Sequence, residues 1–205
     1  MTVTILILLV TLGLSFYAWN NESVMYKLVM DPYSITKKKQ YYRLLTSGFI
    51  HADYIHLFFN MFALWGFGMS VEYQFVLKYG FVTGEVLYLL FYLAALIASD
   101  LPTYLKNKNN YNYSSLGASG AVSALILSRI IFDPISDIYL FFFPLPGIIM
   151  GVLYIAYSYH MGKQRMDNIG HDAHLHGALF GIVATIVLFP SAIITFYHTL
   201  TSYLF

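Results

Sequence analysis

The sequence predicts an all-α membrane protein, a single domain over residues 1–205 whose six transmembrane helices form one bundle. Composition is the first reason: 59% of the residues are hydrophobic and only 10% are charged, whereas a typical soluble domain has roughly 25% charged residues. The second reason is that the apolar residues fall into six segments close to the length that a bilayer requires, about 20 residues each. These segments use most of the chain, so no soluble domain is expected beside them.

The first apolar segment, about residues 3–19, lacks a preceding basic region and a small-residue cleavage pattern. It is therefore predicted to be a retained span and not a signal peptide. A polar loop over about 20–52 follows, and its aromatic residues predict structure lying at the membrane interface. The second span is predicted over about 53–76 and the third over about 81–101, where Pro102 is expected to mark a break.

The second half of the chain contains three more predicted spans. The fourth is short, over about 117–132. The fifth, over about 138–161, has Pro144 and Pro146 near its start, so that end is expected to be irregular or kinked. The sixth covers about 172–189, and the fifteen or so residues after it are too few for another crossing.

Charge and cysteine content exclude several functions. A net charge of +1 without a basic stripe argues against nucleic acid as a partner. The absence of cysteine excludes disulfides, cysteine metal sites and a thiol nucleophile. The expected surroundings are therefore the lipid bilayer and other membrane proteins.

Two polar residues at membrane depth indicate chemistry. Ser119 lies in Gly117-Ala118-Ser119-Gly120 at the start of one apolar run, and His174 opens another. Because polar groups are costly in hydrocarbon, such residues call for a functional hypothesis with a named partner. We predict that Ser119 is a hydrolytic nucleophile activated by His174. The alternative for each residue taken alone is a hydrogen bond that holds two helices together. Asp172 points elsewhere on the helix, so a dyad is expected.

Helical spacing groups further residues with these two. His56 and Asn60 are four apart, which places them on one helical face. His174, Gly177 and Gly181 also share a face, and the two glycines form the small-xxx-small pattern that lets membrane helices approach closely. A matching stripe of small residues in the fourth span predicts that spans four and six pack tightly.

Taken together, these motifs resemble the rhomboid intramembrane serine proteases, over about Tyr41 to Gly181. The matching stretches, in chain order, are Tyr42-Arg43 (with Tyr where the family has Trp), His51, His56-Leu57-Phe58-Phe59-Asn60, Phe67-Gly68 followed by Glu72, Gly117-Ala118-Ser119-Gly120, and Ala173-His174 followed by Gly177 and Gly181.

The resemblance implies a function and a role for each matching residue. Ser119 would attack the scissile carbonyl of a transmembrane or juxtamembrane segment in another membrane protein, and His174 would transfer the proton. The side chains of His56 and Asn60 and the backbone N–H groups of Ser119 and Ala118 would hold the oxyanion. No metal or other cofactor is expected. The implied support residues are Gly117, Gly120, Arg43, His51, Glu72, Gly177 and Gly181.

Two features depart from what the resemblance implies. The family often has Tyr beneath the catalytic His four residues after the nucleophile, but this chain has Ser123 there, so another group must pack under His174. In addition, nine of the 11 Lys and Arg residues fall in the loops after spans one, three and five. The positive-inside rule places those loops in the cytoplasm.

The family orientation is the reverse. It implies an active site that opens through a water-filled cavity to the exterior, with His51 near its mouth and the loop after the fifth span as a cap. We adopt that orientation and expect a bacterial cytoplasmic (inner) membrane.

Two other functions compete with proteolysis, a binding role without catalysis and a metal site. A catalytically silent rhomboid-like binding protein in membrane protein quality control would share the fold and the Arg43 loop, but such relatives lack the Ser or the His. A membrane metal site could use the histidines, but the chain has no His-Glu-x-x-His helix, no intramembrane carboxylate cluster and no Cys. The histidines concerned are His51, His56, His171, His174 and His176.

Overall fold

A computed structural model describes residues 2–140, 143–164 and 170–205 of the chain. These parts are helical apart from loops and one short hairpin, which confirms the predicted all-α class. Helix α1 (Val3–Trp19) begins where the Thr2 side chain accepts a hydrogen bond from the N–H of Ile5, an N-cap that satisfies one free donor of the first turn.

The loop between α1 and the second predicted span, about residues 20–52, is structured, as its aromatic content predicts, and we call it the interfacial segment. Asn21 and Asp31 cap the first two helices of this segment with their side chains. A small apolar cluster of Met30, Ile35 and Leu44 holds the segment against the rest of the protein. Its elements are α2 (Glu22–Leu28), α3 (Pro32–Lys38), α4 (Arg43–Thr46) and a 3₁₀ turn (Ser47–Phe49).

The second predicted span is one continuous helix of 26 residues, Tyr54–Tyr79. It consists of α5 (Tyr54–Ala63), a π-helical segment (Leu64–Gly68) and α6 (Met69–Tyr79). Asp53 caps its start by accepting a hydrogen bond from the N–H of His56 at 2.8 Å. Gly80, with φ of 78°, ends it and leads directly into the next helix.

Helix α7 (Phe81–Asn107) continues through Pro102, so the predicted break there is wrong. A proline inside a helix removes one backbone hydrogen bond, and the helix must be held by other contacts. Thr103 is buried, Tyr104 packs against the cluster of the interfacial segment, and Asn107 donates to the carbonyl of Thr103 at 2.9 Å. Tertiary packing therefore carries the helix past the proline.

Helix α8 (Ser119–Phe132) is the centre of the bundle, since most of its residues are buried. After it the chain forms an antiparallel hairpin of β1 (Asp137–Leu140) and β2 (Phe143–Pro146). The fifth predicted span accordingly begins as a helix only at Gly147, in α9 (Gly147–Gln164), and not at about 138. The prolines of β2 supply no backbone N–H, which suits an irregular entry to the helix.

Helices α10 (His171–Leu188) and α11 (Pro190–Leu204) complete the fold. Three helices of the described chain are long and apolar enough to cross a membrane, Tyr54–Tyr79, Phe81–Asn107 and His171–Leu188. Helices α1 and α8 are apolar but shorter, with 17 and 14 residues. Large apolar side chains cover the outer surface, as in a protein whose solvent is lipid. The count of six spans stays a prediction.

Candidate active site

The predicted contact between spans four and six is confirmed at two glycines of α10. A Cβ placed on Gly177 would lie 2.0 Å from the carbonyl oxygen of Gly120, and one on Gly181 would lie 2.3 Å from that of Ala124. Both distances are far shorter than any real contact, so only glycine permits this approach. The small residues of α8 and α10 thus bring the two backbones together.

Ser119 and His174 lie at the same end of that contact. Ser119 is the first residue of α8, and His174 is in the first turn of α10. Their chain neighbours face one another, because a Cβ on Gly120 would lie 3.4 Å from the carbonyl oxygen of Ala173. Both Ser119 and His174 are half-buried, so each side chain is partly exposed at the protein surface.

The position of Ser119 at a helix start supplies hydrogen-bond donors. The first backbone N–H groups of an α-helix have no intrahelical acceptor, and the helix dipole places partial positive charge there. An oxyanion formed beside Ser119 would therefore meet the N–H of this residue in a favourable field.

The His174 ring lies between two other rings. Tyr154 of α9 is nearly parallel to it, with ring centroids 6.3 Å apart and an interplanar angle of 26°. His171, one turn earlier on α10, meets it edge-on at 5.8 Å. Tyr154 is therefore the tyrosine packed beside His174, and it comes from α9 because the position at which the family often has Tyr holds Ser123.

Ser123 is hydrogen-bonded on both sides. Its Oγ donates to the backbone carbonyl of Ser119 at 2.7 Å and lies 2.5 Å from the hydroxyl oxygen of Tyr154. The position that departs from the family pattern is thus linked directly to the backbone of the candidate nucleophile.

His56 and Asn60 occupy one face of α5, as their spacing predicts. The His56 ring lies against Gly117, where a Cβ would be 2.6 Å from Cε1 and 2.9 Å from Nε2. Gly117 also has φ of 118°, which other residues rarely adopt. Asn60 is buried, and its Nδ2 donates to the carbonyl of His56 at 2.9 Å. An amide nitrogen has two hydrogens, so one remains for another acceptor.

His51 is fully buried beside the loop that precedes Ser119. Its Nε2 accepts a hydrogen bond from the N–H of Ala118 at 3.3 Å, and its Nδ1 lies 3.2 Å from Oγ of Ser15. A nitrogen that accepts carries no proton, so Nδ1 is the protonated nitrogen of the neutral ring. The Ala118 N–H, predicted as an oxyanion donor, is thereby occupied in this structure.

The electrostatic state of His51 follows from its surroundings. Burial, with a smaller contribution from the neighbouring His56, lowers its pKa to about 3, although the carboxylate of Asp53 acts in the opposite direction. The His56 ring meets it edge-on with centroids 5.0 Å apart. His51 is therefore a neutral ring at ordinary pH.

Arg43 joins the parts of the interfacial segment. This buried guanidinium donates through Nε to Oε1 of Gln40 at 2.7 Å. Its Nη1 donates to the carbonyls of Tyr26 at 2.7 Å and Val29 at 2.8 Å. Arg43 thus holds α2 against α4 with bonds to a charged donor, which are stronger than neutral ones.

Glu72 caps a different helix. Its Oε1 accepts from the N–H of Val3 at 2.6 Å and its Oε2 from the N–H of Thr4 at 3.1 Å. Oε2 of Glu85 also accepts from Val3, at 2.9 Å. A carboxylate at a helix N-terminus satisfies free donors and complements the helix dipole. Glu72 therefore fixes α1 to α6.

Within the described residues, no group of three or more His, Asp or Glu side chains could hold a metal ion. The predicted cap, the loop after the fifth span, falls largely on residues 165–169, which lie outside the described residues.

Comparison with known proteins places the chain in a family. A sequence model of the Rhomboid domain matches residues 38–191, most of the chain and the whole region that holds these motifs. The chain belongs to the rhomboid family. It is accordingly an integral membrane protein of a family that includes proteases.

Individual relatives are similar over most of this chain. RHOMBOID-like protein 12, mitochondrial, of Arabidopsis thaliana is 32% identical over 82% of the chain. Rhomboid protease GluP of Bacillus subtilis (strain 168) is 29% identical over 74% of it, and the human Presenilin-associated rhomboid-like protein, mitochondrial, is 29% identical over 68%. The matches cover 53%, 27% and 36% of those relatives, so the chain spans about half of their length or less.

Among the described residues, Tyr154 and His171 have rings beside His174 and do not belong to the motifs. The sequence did carry one signal for Tyr154, since Ser123 at the usual Tyr position requires another partner for the His174 ring. Which residue supplies that partner depends on the packing of α9, which no local pattern encodes.

Proposed function

We propose that this rhomboid protein is an intramembrane serine endopeptidase that cleaves transmembrane or juxtamembrane segments of other membrane proteins through a dyad of Ser119 and His174. The observation that carries the proposal is the meeting of α8 and α10 at Gly120 and Ala173, next to both dyad residues. The name of one relative, Rhomboid protease GluP, supports the reaction class.

In the proposed mechanism, the Oγ of Ser119 attacks the scissile carbonyl carbon while His174 accepts its proton. The tetrahedral intermediate collapses when His174 gives that proton to the leaving amine, and an acyl-enzyme on Ser119 remains. Water, deprotonated by His174, then attacks the ester and releases the second product. As this product leaves, His174 gives the proton that it took from water to Oγ of Ser119, so the dyad ends unchanged.

The oxyanion would be held by three donors: the backbone N–H of Ser119, the imidazole of His56 and the free amide hydrogen of Asn60. The contact of the His56 ring with Gly117 supports this set, because it directs the ring toward the start of α8. The Ala118 N–H is left out, because His51 already accepts its hydrogen bond. Preorganised donors of this kind each contribute about 100-fold or more to kcat.

The test combines labelling and cleavage. Purified protein should react with a fluorophosphonate at Ser119 and cleave a model transmembrane substrate, and Ser119→Ala should lose both activities. Ser114→Ala, which changes an exposed serine in the preceding loop, is the matched control and should keep both. Cleavage by the Ser119→Ala protein, or inhibition by a chelator without labelling of Ser119, contradicts the mechanism. A folded protein that neither labels nor cleaves is the silent binding protein.

The membrane and the orientation are part of the proposal. The expectation of a bacterial cytoplasmic membrane finds no support in the two mitochondrial relatives, although another relative is from Bacillus subtilis. We propose that the end of the bundle with Ser119 opens to the exterior face of the membrane that holds it.

A further inference from the structure

The surroundings of His174 include a contact that neither the motif pattern nor the dyad explains. Tyr154 lies alongside the His174 ring at 6.3 Å and 26°, within the range of offset-stacked aromatic pairs. It comes from α9, a helix that carries none of the predicted site residues. A base that receives a proton along a defined direction must be oriented, and a ring packed against it restricts rotation about its two side-chain bonds.

The hydroxyl end of Tyr154 is fixed as well. Ser123 has a single hydroxyl hydrogen, which it gives to the carbonyl of Ser119. In the 2.5 Å bond between the two hydroxyls, Tyr154 must therefore be the donor. A continuous path of two hydrogen bonds and one ring contact then leads from the Ser119 backbone through Ser123 and Tyr154 to His174.

We infer that Tyr154 is a positioning residue for His174, and that Ser123 positions Tyr154 in turn. The inference rests on the proposed function, since it assigns the orientation of the base in that reaction. The same Ser123 hydroxyl links Tyr154 to the backbone of the nucleophile, so the two dyad residues are held in register through one shared contact. Tyr154 touches neither the scissile bond nor the oxyanion donors in this scheme, and it acts only through His174.

The experiment compares Tyr154→Leu, Tyr154→Phe and Ser123→Ala with the wild type in one detergent. Tyr154→Leu removes the ring and should lower kcat about 100-fold with KM changed by less than about twofold, because the base is misaligned while substrate binding is not. Tyr154→Phe keeps the ring and should recover most of that loss, remaining about fivefold below the wild type because one hydrogen bond is missing.

The controls are Tyr159→Leu and Tyr159→Phe, which make the same changes on the same helix. The Tyr159 hydroxyl accepts a hydrogen bond from Nζ of Lys163, whereas the Tyr154 hydroxyl bonds to Ser123. These variants should keep kcat within about threefold of the wild type, as surface substitutions usually do.

A double variant tests the shared bond. Tyr154→Phe and Ser123→Ala remove the same hydrogen bond, so combining them should cost no more in kcat than the larger single effect. If the loss of kcat in the double variant equals the product of the two single losses, the inference is wrong. It is also wrong if the kcat of Tyr154→Leu equals that of Tyr159→Leu. If Tyr154→Leu does not fold, the Phe and Ala variants and their combination still decide.

If the proposed protease function is wrong, the experiment gives a different result from the one expected when only the positioning role of Tyr154 is wrong. In that case the wild type itself neither labels with a fluorophosphonate nor cleaves substrate. When the wild type is active and Ser119→Ala is not, while the Tyr154 variants match their Tyr159 controls, only the positioning role is wrong.

Discussion

The backbone N–H of Ala118 donates a hydrogen bond to Nε2 of His51 at 3.3 Å. This bond connects the loop before α5 to the residue that precedes the candidate nucleophile. It also requires a neutral His51 with its proton on Nδ1, facing Oγ of Ser15. The conformation of the chain at Ser119 is thus tied to the protonation state of a buried ring.

Stability should therefore depend on pH through His51. Its pKa is about 3 in the folded protein against 6.5 for an ordinary His, so above pH 6.5 both states are neutral and no dependence arises. As the pH falls from 6.5 toward 3, the unfolded chain binds a proton that the folded chain does not, and stability falls by up to about 1.4 kcal/mol per pH unit. The melting temperature in detergent, measured across this range, is the readout.

His51→Gln is the matched variant for this prediction. A Gln amide can accept from Ala118 and donate to Ser15, but it does not titrate. The melting temperature of His51→Gln should fall less steeply between pH 6.5 and pH 4 than that of the wild type. Equal slopes of melting temperature against pH in the two proteins would show that His51 is not the source of the pH dependence.

Gly177→Ala should disrupt the contact between α8 and α10. The new methyl group would lie 2.0 Å from the carbonyl oxygen of Gly120, and backbone cannot move aside as a flexible side chain can. We expect the melting temperature to fall and cleavage to drop at least about tenfold, because overpacking of this size costs about 1–3 kcal/mol or more and shifts the site.

The control for this change is Gly13→Ala in α1, where a Cβ meets nothing within 4 Å. Since Ala has a higher helix propensity than Gly, that variant should be as stable as the wild type or more so. Equal behaviour of the two alanine variants would refute the close contact.

Arg43→Lys should destabilise the interfacial segment by about 2–4 kcal/mol, because buried bonds to a charged donor are lost. A lysine ammonium cannot reproduce the three directions in which Arg43 donates, to Gln40 and to two backbone carbonyls. Thermal unfolding would measure the loss.

Arg129→Lys is the corresponding control at the end of α8. Arg129 pairs with Asp133 four residues later, and both side chains are partly exposed. Such a pair contributes about 0.3–0.5 kcal/mol, so the control should change stability little. A loss for Arg43→Lys no larger than that of the control would contradict a structural role for Arg43.

The sequence is informative where one residue type satisfies a strict physical requirement. Gly177 and Gly181 were predictable because a close approach of two helices admits nothing larger than glycine at these distances. Ser119 and His174 stand out in the sequence because polar groups at membrane depth are rare without a reason, and their catalytic roles stay predictions. These requirements are local, so spacing along the chain was enough to find them.

Other features depend on contacts that spacing does not contain. Pro102 is a helix breaker in isolation, but buried Thr103 and the packing of Tyr104 keep α7 helical beyond it. Tyr154 reaches His174 only because α9 packs beside α8 and α10, and its chain neighbours Leu153 and Ile155 are apolar residues like many others in the sequence. Tertiary packing overrides local propensity in the first case and selects one aromatic among many in the second.

Orientation in the membrane can be tested because the chain has no cysteine, so a single introduced Cys is a unique reporter. Asn109 and Thr83 are both exposed. Asn109 lies just beyond the C-terminal end of α7, and Thr83 lies near its N-terminal end. We expect a membrane-impermeant maleimide to label Asn109→Cys on intact cells that express the protein and Thr83→Cys only after permeabilisation. The reverse pattern would agree with the positive-inside rule and place the Ser119 end in the cytoplasm.

Asn60→Ala should lower kcat about 100-fold, because the variant removes one of three proposed oxyanion donors. The side chain of Asn60 also donates to the carbonyl of His56 at 2.9 Å, so part of any loss could come from the helix itself. Asn107→Ala separates the two effects, since Asn107 makes the same bond to the carbonyl four residues earlier, also at 2.9 Å, in α7. If Asn60 holds the oxyanion, Asn107→Ala keeps kcat within about threefold of the wild type while both variants lose similar stability. Equal kcat in the two variants would remove Asn60 from the oxyanion site and leave His56 and the Ser119 N–H as its donors.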